Sequence, residues 1–584
     1  MKHNRLSFFI VALVSVSMIL AACAPKAAVA TEAPAAVQST AAPAVAPTVA
    51  PTAKPAEPTP TPRPPYDPAS FKKVITGDCA NGQILKEIAA VDDLTVKFTL
   101  CVPDPAFLQK AAFSAFSIQP KAYLEKAMAD RSILEKPVGT GPYMMDTWNR
   151  GDSVVLKRFD GYWGAKAKTS QFILKWSTEA AARLLELQSG TVDGIDNPGT
   201  DDIPKIIADP TLQFKARAVN NTLYIGFNNK FKPFDDVRVR QAIAMGVDRA
   251  RIVKNFFPAG STVADFLTPC TIPNGCVGTK FYSFDVAKAK ALLKEAGFPD
   301  GFKTTITLRA AVRAYIPDPP AIATEIQAQL KANLNIDAQI VILESGAMLG
   351  KAAEGTIEGI HLLGWNGDYP SITNWMDFHF GASQKQFGTP FKEIYEPLAQ
   401  AAQLADPKAA EALYVKANNA ARDLVPLITV AHSGSGVAYL ADVKNAHASP
   451  LGNEYFAVMT PGSRDKFVFM QNAEPISLYC NDETDGESLR ACEQVLESLY
   501  AFKPGTQEVT PALATSCTPN AALTEWTCKL RPNVKFHDGS TLTADDVVMS
   551  WWIPWDYGMA LHIGNTGAFE YTTILWGNVL HAPQ

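Results

Sequence analysis

No long apolar run follows the first twenty residues of this sequence, so no later segment reads as a bilayer-spanning helix. Nor does one sign of charge dominate. Lys plus Arg number 53 against 58 Asp plus Glu, and the signs are interspersed, leaving a net charge of −5 over 584 residues. That balance argues against nucleic acid as a partner. The nine cysteines include no C-x2-C pair, which removes the common zinc spacing. There is no H-E-x-x-H, and His432-Ser433-Gly434-Ser435-Gly436 lacks the spacing of a G-x-S-x-G nucleophile turn. His432 and His447 stand too far apart for a helical ligand pair and read as loop histidines. Paired carboxylates (Asp92-Asp93, Asp201-Asp202, Asp545-Asp546) fall at turns or helix starts, where capping explains them. The sequence therefore points away from an enzyme, and no cofactor or metal is expected.

What is present begins with export. Lys2 and Arg5 precede an apolar run from Leu6 to Leu20, too short to span a bilayer and fitting a secretory h-region. It ends in Leu20-Ala21-Ala22-Cys23, which resembles a bacterial lipobox. Residues 1–22 are then a lipoprotein signal peptide, and Cys23 is the lipidated mature N-terminus. An ordinary signal peptide cut near Ala22 is the plainer reading. Residues 23–66 are almost all Ala, Pro, Thr and Val, and eleven prolines keep helix and sheet from propagating. In polyproline II form this tether reaches on the order of 130 Å. An O-glycosylated stalk is an alternative compatible with tethering. About 520 residues remain, enough for two or three domains.

Beyond Cys23 stand eight cysteines, an even number that suggests disulfides in an exported chain. Eight allow about 105 connectivities. One choice among them pairs Cys517 with Cys528 across a hairpin and Cys79 with Cys101 in a similar pair. It closes Cys270 and Cys276 around a Pro-Asn-Gly turn and leaves Cys480 with Cys492.

Strand and helix signals alternate, which argues for an α/β fold. Strands are expected over 91–100, 222–228, 303–308, 451–459, 466–470 and 529–536. Helices are expected over 177–189, with Gly190 as its stop, over 237–256, from the Asp285 cap to Ala296, and over 321–334. Thr543 caps a further helix, with Asp545 and Asp546 in its first turn.

Several segments resemble the peptide, nickel and oligosaccharide solute-binding family of ABC importers. They are Gly139-Thr140-Gly141-Pro142-Tyr143 with Phe159-Asp160-Gly161-Tyr162-Trp163-Gly164, and Phe234-Asp235-Asp236-Val237-Arg238-Val239-Arg240-Gln241-Ala242 with Asp248-Arg249. Gly364-Trp365-Asn366-Gly367-Asp368-Tyr369-Pro370, Pro511-Ala512-Leu513-Ala514 and the stretch from Leu530 to Ser550 complete the set. In the family, the segment like 466–552 comes before the segment like 67–143. Here it comes last, so the chain reads as a circular permutant. Exchange of the C-terminal part with a neighbouring molecule is the alternative. The resemblance implies a type II periplasmic-binding-protein-like fold of two jaws and a smaller third lobe. Carried over, 67–150 and 491–584 form the smaller lobe, 151–236 and 454–490 the hinge-side sheet domain, and 237–453 the opposing jaw.

The resemblance also implies the function. A lipid-anchored monomer on the outer face of the bacterial cytoplasmic membrane would capture a small solute, first of all an oligopeptide, and deliver it to ABC permease subunits. An oligosaccharide binder of the same fold and a sensory co-receptor are the other readings. Asp368 matches the position resembling the peptide-amine anchor, although the family's second acid is replaced by Ser371. As a turn-capping Asp it needs no ligand. Trp365 and Tyr369 flank it as cleft walls or as core. Tyr571, Trp576 and the Gly564-Asn565-Thr566-Gly567 loop lie where the family keeps cleft-lining loops. Arg238, Arg240 and Arg249 read as scaffold, fixing their helix through salt bridges.

Overall fold

The computed structural model describes residues 65–582 apart from 81 and 405; Cys23, the apolar leader and most of the tether lie outside them. Three large sheets carry the folded part, beside two two-stranded ones. The five-stranded sheet is antiparallel, in the order Val74–Thr76, Leu85–Asp92, Thr95–Leu100, Glu525–Leu530, Ala514–Pro519. It combines the two ends of the chain: Thr95–Leu100 pairs directly with Glu525–Leu530, Phe98 opposite Trp526. Alternation explains the pairing, since Trp526, Cys528 and Leu530 turn inward while Thr527 and Lys529 do not. Helix Ala544–Trp555 lies against this sheet and opens with a capping box between Thr543 and Asp546.

The seven-stranded sheet runs Tyr143–Asn149, Ser153–Arg158, Gln171–Trp176, Lys466–Gln471, Gly194–Asp196, Gly436–Leu440, Leu212–Ala216. Its centre is a late strand, Lys466–Gln471, parallel to both Gln171–Trp176 and Gly194–Asp196. The six-stranded sheet runs Thr262–Val263, Leu427–His432, Asn221–Phe227, Ile360–Asn366, Lys303–Arg309, Asp337–Leu343. All seven residues of Asn221–Phe227 are buried, as expected of a central strand covered on both faces. Leu223, Ile225 and Phe227 join one apolar cluster and Tyr224 the other.

The chain passes between the seven- and six-stranded sheets twice, at 217–220 and 433–435. The two crossings are bonded to each other. Asn221 exchanges side-chain bonds with the Ser433 backbone at 2.8 and 2.9 Å, and the Arg217 amide donates to Ser435 O at 2.9 Å.

Arg217 also anchors a buried ionic network. Its guanidinium donates to Asp196 Oδ1 and Glu454 Oε1, both at 2.7 Å. Arg490 closes the square through Asp196 Oδ2 at 2.9 Å and Glu454 Oε2 at 3.2 Å, and donates to Gln471 Oε1 at 3.1 Å. Two cations meet two anions, so the buried group is neutral. Burial alone would raise the Asp196 carboxyl, but the Arg217 and Arg490 charges outweigh it and hold it near 2.

Several sequence expectations shift. Residues 91–100 hold a hairpin turn followed by strand Thr95–Leu100, not one continuous strand. The expected helix over 237–256 is two, Val237–Gly246 and Arg249–Phe256, because Asp248 leaves helical geometry to cap the second. Residues 451–459 form no strand; a 3-10 turn covers Phe456–Val458. Glu525–Leu530 is a strand, as its alternation suggests, whereas the strand expected over 529–536 does not continue past Leu530. His432 ends a buried strand and meets the Thr222 hydroxyl at 2.9 Å. Arg238 does pair with Asp236, whereas Arg240 and Arg249 mainly bind backbone carbonyls of Leu424, Phe234, Ala264 and Thr429. Disulfides join Cys79–Cys101, Cys270–Cys276, Cys480–Cys492 and Cys517–Cys528.

Arg217→Leu would leave two buried carboxylates sharing one cation and is expected to destabilise the fold by about 3–5 kcal/mol in chemical denaturation. Asp196 titrates lower in the folded than in the unfolded chain. Its contribution is therefore present above about pH 4 and lost as pH falls through about 2. The gap between wild type and variant should narrow over that window. A pH-independent loss below about 1 kcal/mol would contradict this role.

Candidate functional site: a carboxylate at the meeting of two sheets

Strand Ile360–Asn366 ends in a short connection carrying Gly367, Asp368, Tyr369 and Pro370 before helix Thr373–Phe380. The buried Asn374 organises that connection. Its Oδ1 accepts the Trp365 indole N–H at 3.1 Å and the Asp368 amide at 2.9 Å, and its Nδ2 donates to Asp368 Oδ2 at 3.0 Å. The free oxygen, Asp368 Oδ1, accepts the Tyr571 hydroxyl at 2.8 Å. Tyr571 belongs to helix Glu570–Trp576, which packs on Ala544–Trp555 beside the five-stranded sheet. One hydrogen bond thus joins an element of the six-stranded sheet to an element of the five-stranded one.

Tyr369 strengthens the junction. Its ring is buried in the apolar cluster that serves the five- and seven-stranded sheets, and its hydroxyl meets Thr373 Oγ1 at 3.1 Å. Trp365 is half-buried, stacked on Phe378 with centroids 3.8 Å apart. Expected beside these as a cleft-lining residue, Trp576 lies in the core instead. It is 0% exposed among Phe107, Phe116 and Trp551, because the helix that turns Tyr571 toward Asp368 turns Trp576 inward.

Charged groups that the sequence did not single out stand nearby. Lys110 donates to Asp104 Oδ2 at 2.7 Å and to Leu575 O at 3.0 Å. Facing that pair is Asp377, one turn beyond Asn374 on the same helical face, with Oδ1 buried and without a hydrogen-bond partner. Burial pushes the Asp377 carboxyl up to about 7; the Lys110 charge pulls it down and Asp104 pushes it up. Asp368 is likewise pushed up to about 6 by burial, against the pull of Asn374 and Tyr571. Farther along, Arg313 opens a small turn closed on Ile316, and its charge reaches Glu487 on helix Gly486–Cys492. Burial and Asp485 push Glu487 up to about 7, while Arg313 and Arg490 lower it. Neither Arg313 nor Asp377 had a spacing signal; contacts across the fold set their surroundings.

The arrangement is a half-buried carboxylate, braced on one oxygen and met on the other by a hydroxyl from across the junction. Such a group can pair with an ammonium. It offers no nucleophile with a base beside it, and among the described residues no group of three or more His, Cys, Asp or Glu could hold a metal.

The sequence profile of the bacterial extracellular solute-binding proteins, family 5 (middle region), matches residues 58–387 and 508–565. The chain belongs to this family. Its members are binders, not enzymes. The dipeptide-binding protein of Escherichia coli is 31% identical over 383 residues, covering 64% of this chain and 71% of that protein. The heme-binding protein A of Haemophilus influenzae is 30% identical over 383 residues, covering 64% and 69%. Among solved structures, the Helicobacter pylori periplasmic binding protein DppA in complex with the peptide STSA is 29% identical. It superposes with a TM-score of 0.56 over 62% of this chain and 71% of that one. This family member therefore has the α/β fold of type II periplasmic binding proteins.

Asp368 titrates higher in the folded chain than unfolded, so it favours folding below about pH 4 and that contribution is lost as pH rises through about 6. Asp368→Asn removes this dependence. Relative to wild type, the variant should gain about 1–2 kcal/mol between pH 4 and pH 8, a figure discounted for water at the half-buried edge. Parallel stability profiles for the two proteins would show that Asp368 remains solvated.

Proposed function

We propose that this family 5 protein is the lipid-anchored substrate-binding subunit of an ABC importer. It captures a peptide in a cleft between two jaws and delivers it to the permease. In this reading 67–150 with 491–584 form the smaller lobe, 151–236 with 454–490 the hinge-side domain, and 237–453 the opposing jaw. Cys23 carries the lipid, and 23–66 is the tether. The permuted order is supported by the profile match in two blocks and by Thr95–Leu100 pairing with Glu525–Leu530.

The observation that carries the ligand class is Asp368, whose Oδ1 meets Tyr571 at the junction of the lobes. A carboxylate that burial has pushed up is poorly solvated, and an ammonium bonded to it restores the compensation that water no longer supplies. In this reading Arg313, on the same jaw, meets the carboxylate at the opposite end of a zwitterion. The relatives alone do not select the ligand, since their names give dipeptides, heme and glutathione. Ligand contacts to both jaws favour the closed state, and the crossings at 217–220 and 433–435 are where backbone dihedrals would change.

Thermal-shift screening with free dipeptides and oligopeptides, their N-acetylated forms and an oligosaccharide set tests this. A ligand at 100 times its Kd stabilises the fold by about 2.7 kcal/mol. Free peptides should raise Tm, acetylated ones should not, and Asp368→Ala should abolish the shift. A sugar that raises Tm equally in wild type and Asp368→Ala would overturn the peptide reading.

A further inference from the structure

The loop before helix Glu570–Trp576 has no regular structure of its own, yet it must fix where Tyr571 points. A single buried carboxylate from a distant segment holds it. Asp482 Oδ2 accepts the Thr566 amide at 2.6 Å and the Gly567 amide at 2.7 Å; its Oδ1 accepts the Thr566 hydroxyl at 2.9 Å and the Phe569 amide at 2.8 Å. Four donors from three residues of one loop, Thr566, Gly567 and Phe569, converge on one side chain. Gly564 closes over it at φ 44°, where a Cβ would press into Asp482 Oδ2. Phe569 itself sits at φ 44°, a strained conformation for a residue with a side chain. Its amide bond to Asp482, full burial and edge contact with Tyr479 keep it there. Phe569 is also the residue from which helix Glu570–Trp576 starts, so its orientation sets that of Tyr571 two residues on.

Asp482 is itself immobilised. It closes the 3-10 turn Cys480–Asp482, Cys480 is tied to Cys492, and the neighbouring Asn481 bonds to Ser117 O and Ser117 Oγ. The chain of contacts therefore runs from a disulfide-bounded segment, through Asp482, to the loop, to Tyr571, to Asp368.

We propose that Asp482 is the positioning residue of the Asp368 site, holding loop 564–569 in the shape that aims the Tyr571 hydroxyl at Asp368 Oδ1. Its consequence for ligand affinity rests on the peptide-binding reading; the positioning does not. Asp482 touches no ligand in this account. It sets how the anchor carboxylate is braced, and so how readily an incoming ammonium takes the place of the hydroxyl.

The test needs no ligand. In the whole chain labelled with 13C at Asp carboxyls, the Asp368 signal, assigned by its loss in Asp368→Asn, is titrated by NMR. Tyr571→Phe removes a bond to the charged form and should raise the midpoint by on the order of 1 pH unit. Asp482→Asn and, with no change of charge, Gly564→Ala should raise it comparably when Tyr571 is present. Neither should shift it further in the Tyr571→Phe background. Should Asp482→Asn fail to fold, Gly564→Ala and Thr566→Val decide the matter. A midpoint unchanged by these variants, or shifted equally in both backgrounds, would overturn the proposal by leaving the loop a merely structural role. Failure of every peptide to bind would sink the peptide reading and leave this result standing.

Discussion

The guanidinium of Arg217 is the point on which the rest of the molecule turns. It is buried, it bonds Asp196 and Glu454, and its own backbone lies at the first crossing between the seven- and six-stranded sheets. Breaking one partner would strand charge where water cannot reach it, so the network constrains the neighbouring backbone more firmly than an apolar contact of the same size. Asp196 ends a strand of the seven-stranded sheet, Glu454 follows the second crossing, and Arg490 comes from the C-terminal part. Three separated stretches of chain are thereby fixed around the place where the two sheets join. The chain passes between the two sheets at 217–220 and 433–435, and in the proposed reading the dihedral changes of a closing cleft fall there.

From that fixed base the site is reached by contacts made at increasing distance. Asn374 braces one oxygen of Asp368, and Tyr571 meets the other from across the junction. Tyr369 adds apolar adhesion by burying its ring in the cluster on the far side. Beside it Asp377 faces Lys110 and Asp104, so three carboxyls and one ammonium share the junction. Burial raises the two jaw-side carboxyls, Asp368 and Asp377, and in the proposed reading this poor solvation makes the junction receptive to a cation. A solute carrying an ammonium supplies one without any change in the protein's own protonation.

Much of this was legible in the sequence, for identifiable reasons. Glu525–Leu530 alternates strictly and faces a core, so its period of two survives in the sequence. Asp285 and Thr543 marked helix starts because capping is a local interaction. Local signals misled where two of them competed: Asp248 could continue a helix by periodicity or cap the next, and capping prevailed. Residues 451–459 read as strand by composition, but Glu454 is drawn into the Arg217–Arg490 network and the backbone follows it. Of the residues at the junction, Trp365, Asp368, Tyr369 and Tyr571 were named from the sequence. Asn374, Asp377, Lys110, Arg313 and Asp482 act through contacts that span the fold, as with Asp482 and Phe569, 87 residues apart. No periodicity or spacing encodes such a pair. Trp576 shows the converse, since a large aromatic near a cleft segment is as well suited to the core that holds the segment in place.

If Asp368 is the ligand's anchor where two lobes meet, a crystal structure of the protein with a bound free peptide will show it. The peptide ammonium should lie within hydrogen-bond distance of Asp368 Oδ1, in the place of or beside the Tyr571 hydroxyl, with its carboxylate on the Arg313 side. A ligand held elsewhere, with the Asp368–Tyr571 bond untouched and no charged group of the ligand near it, would rule out Asp368 as the anchor.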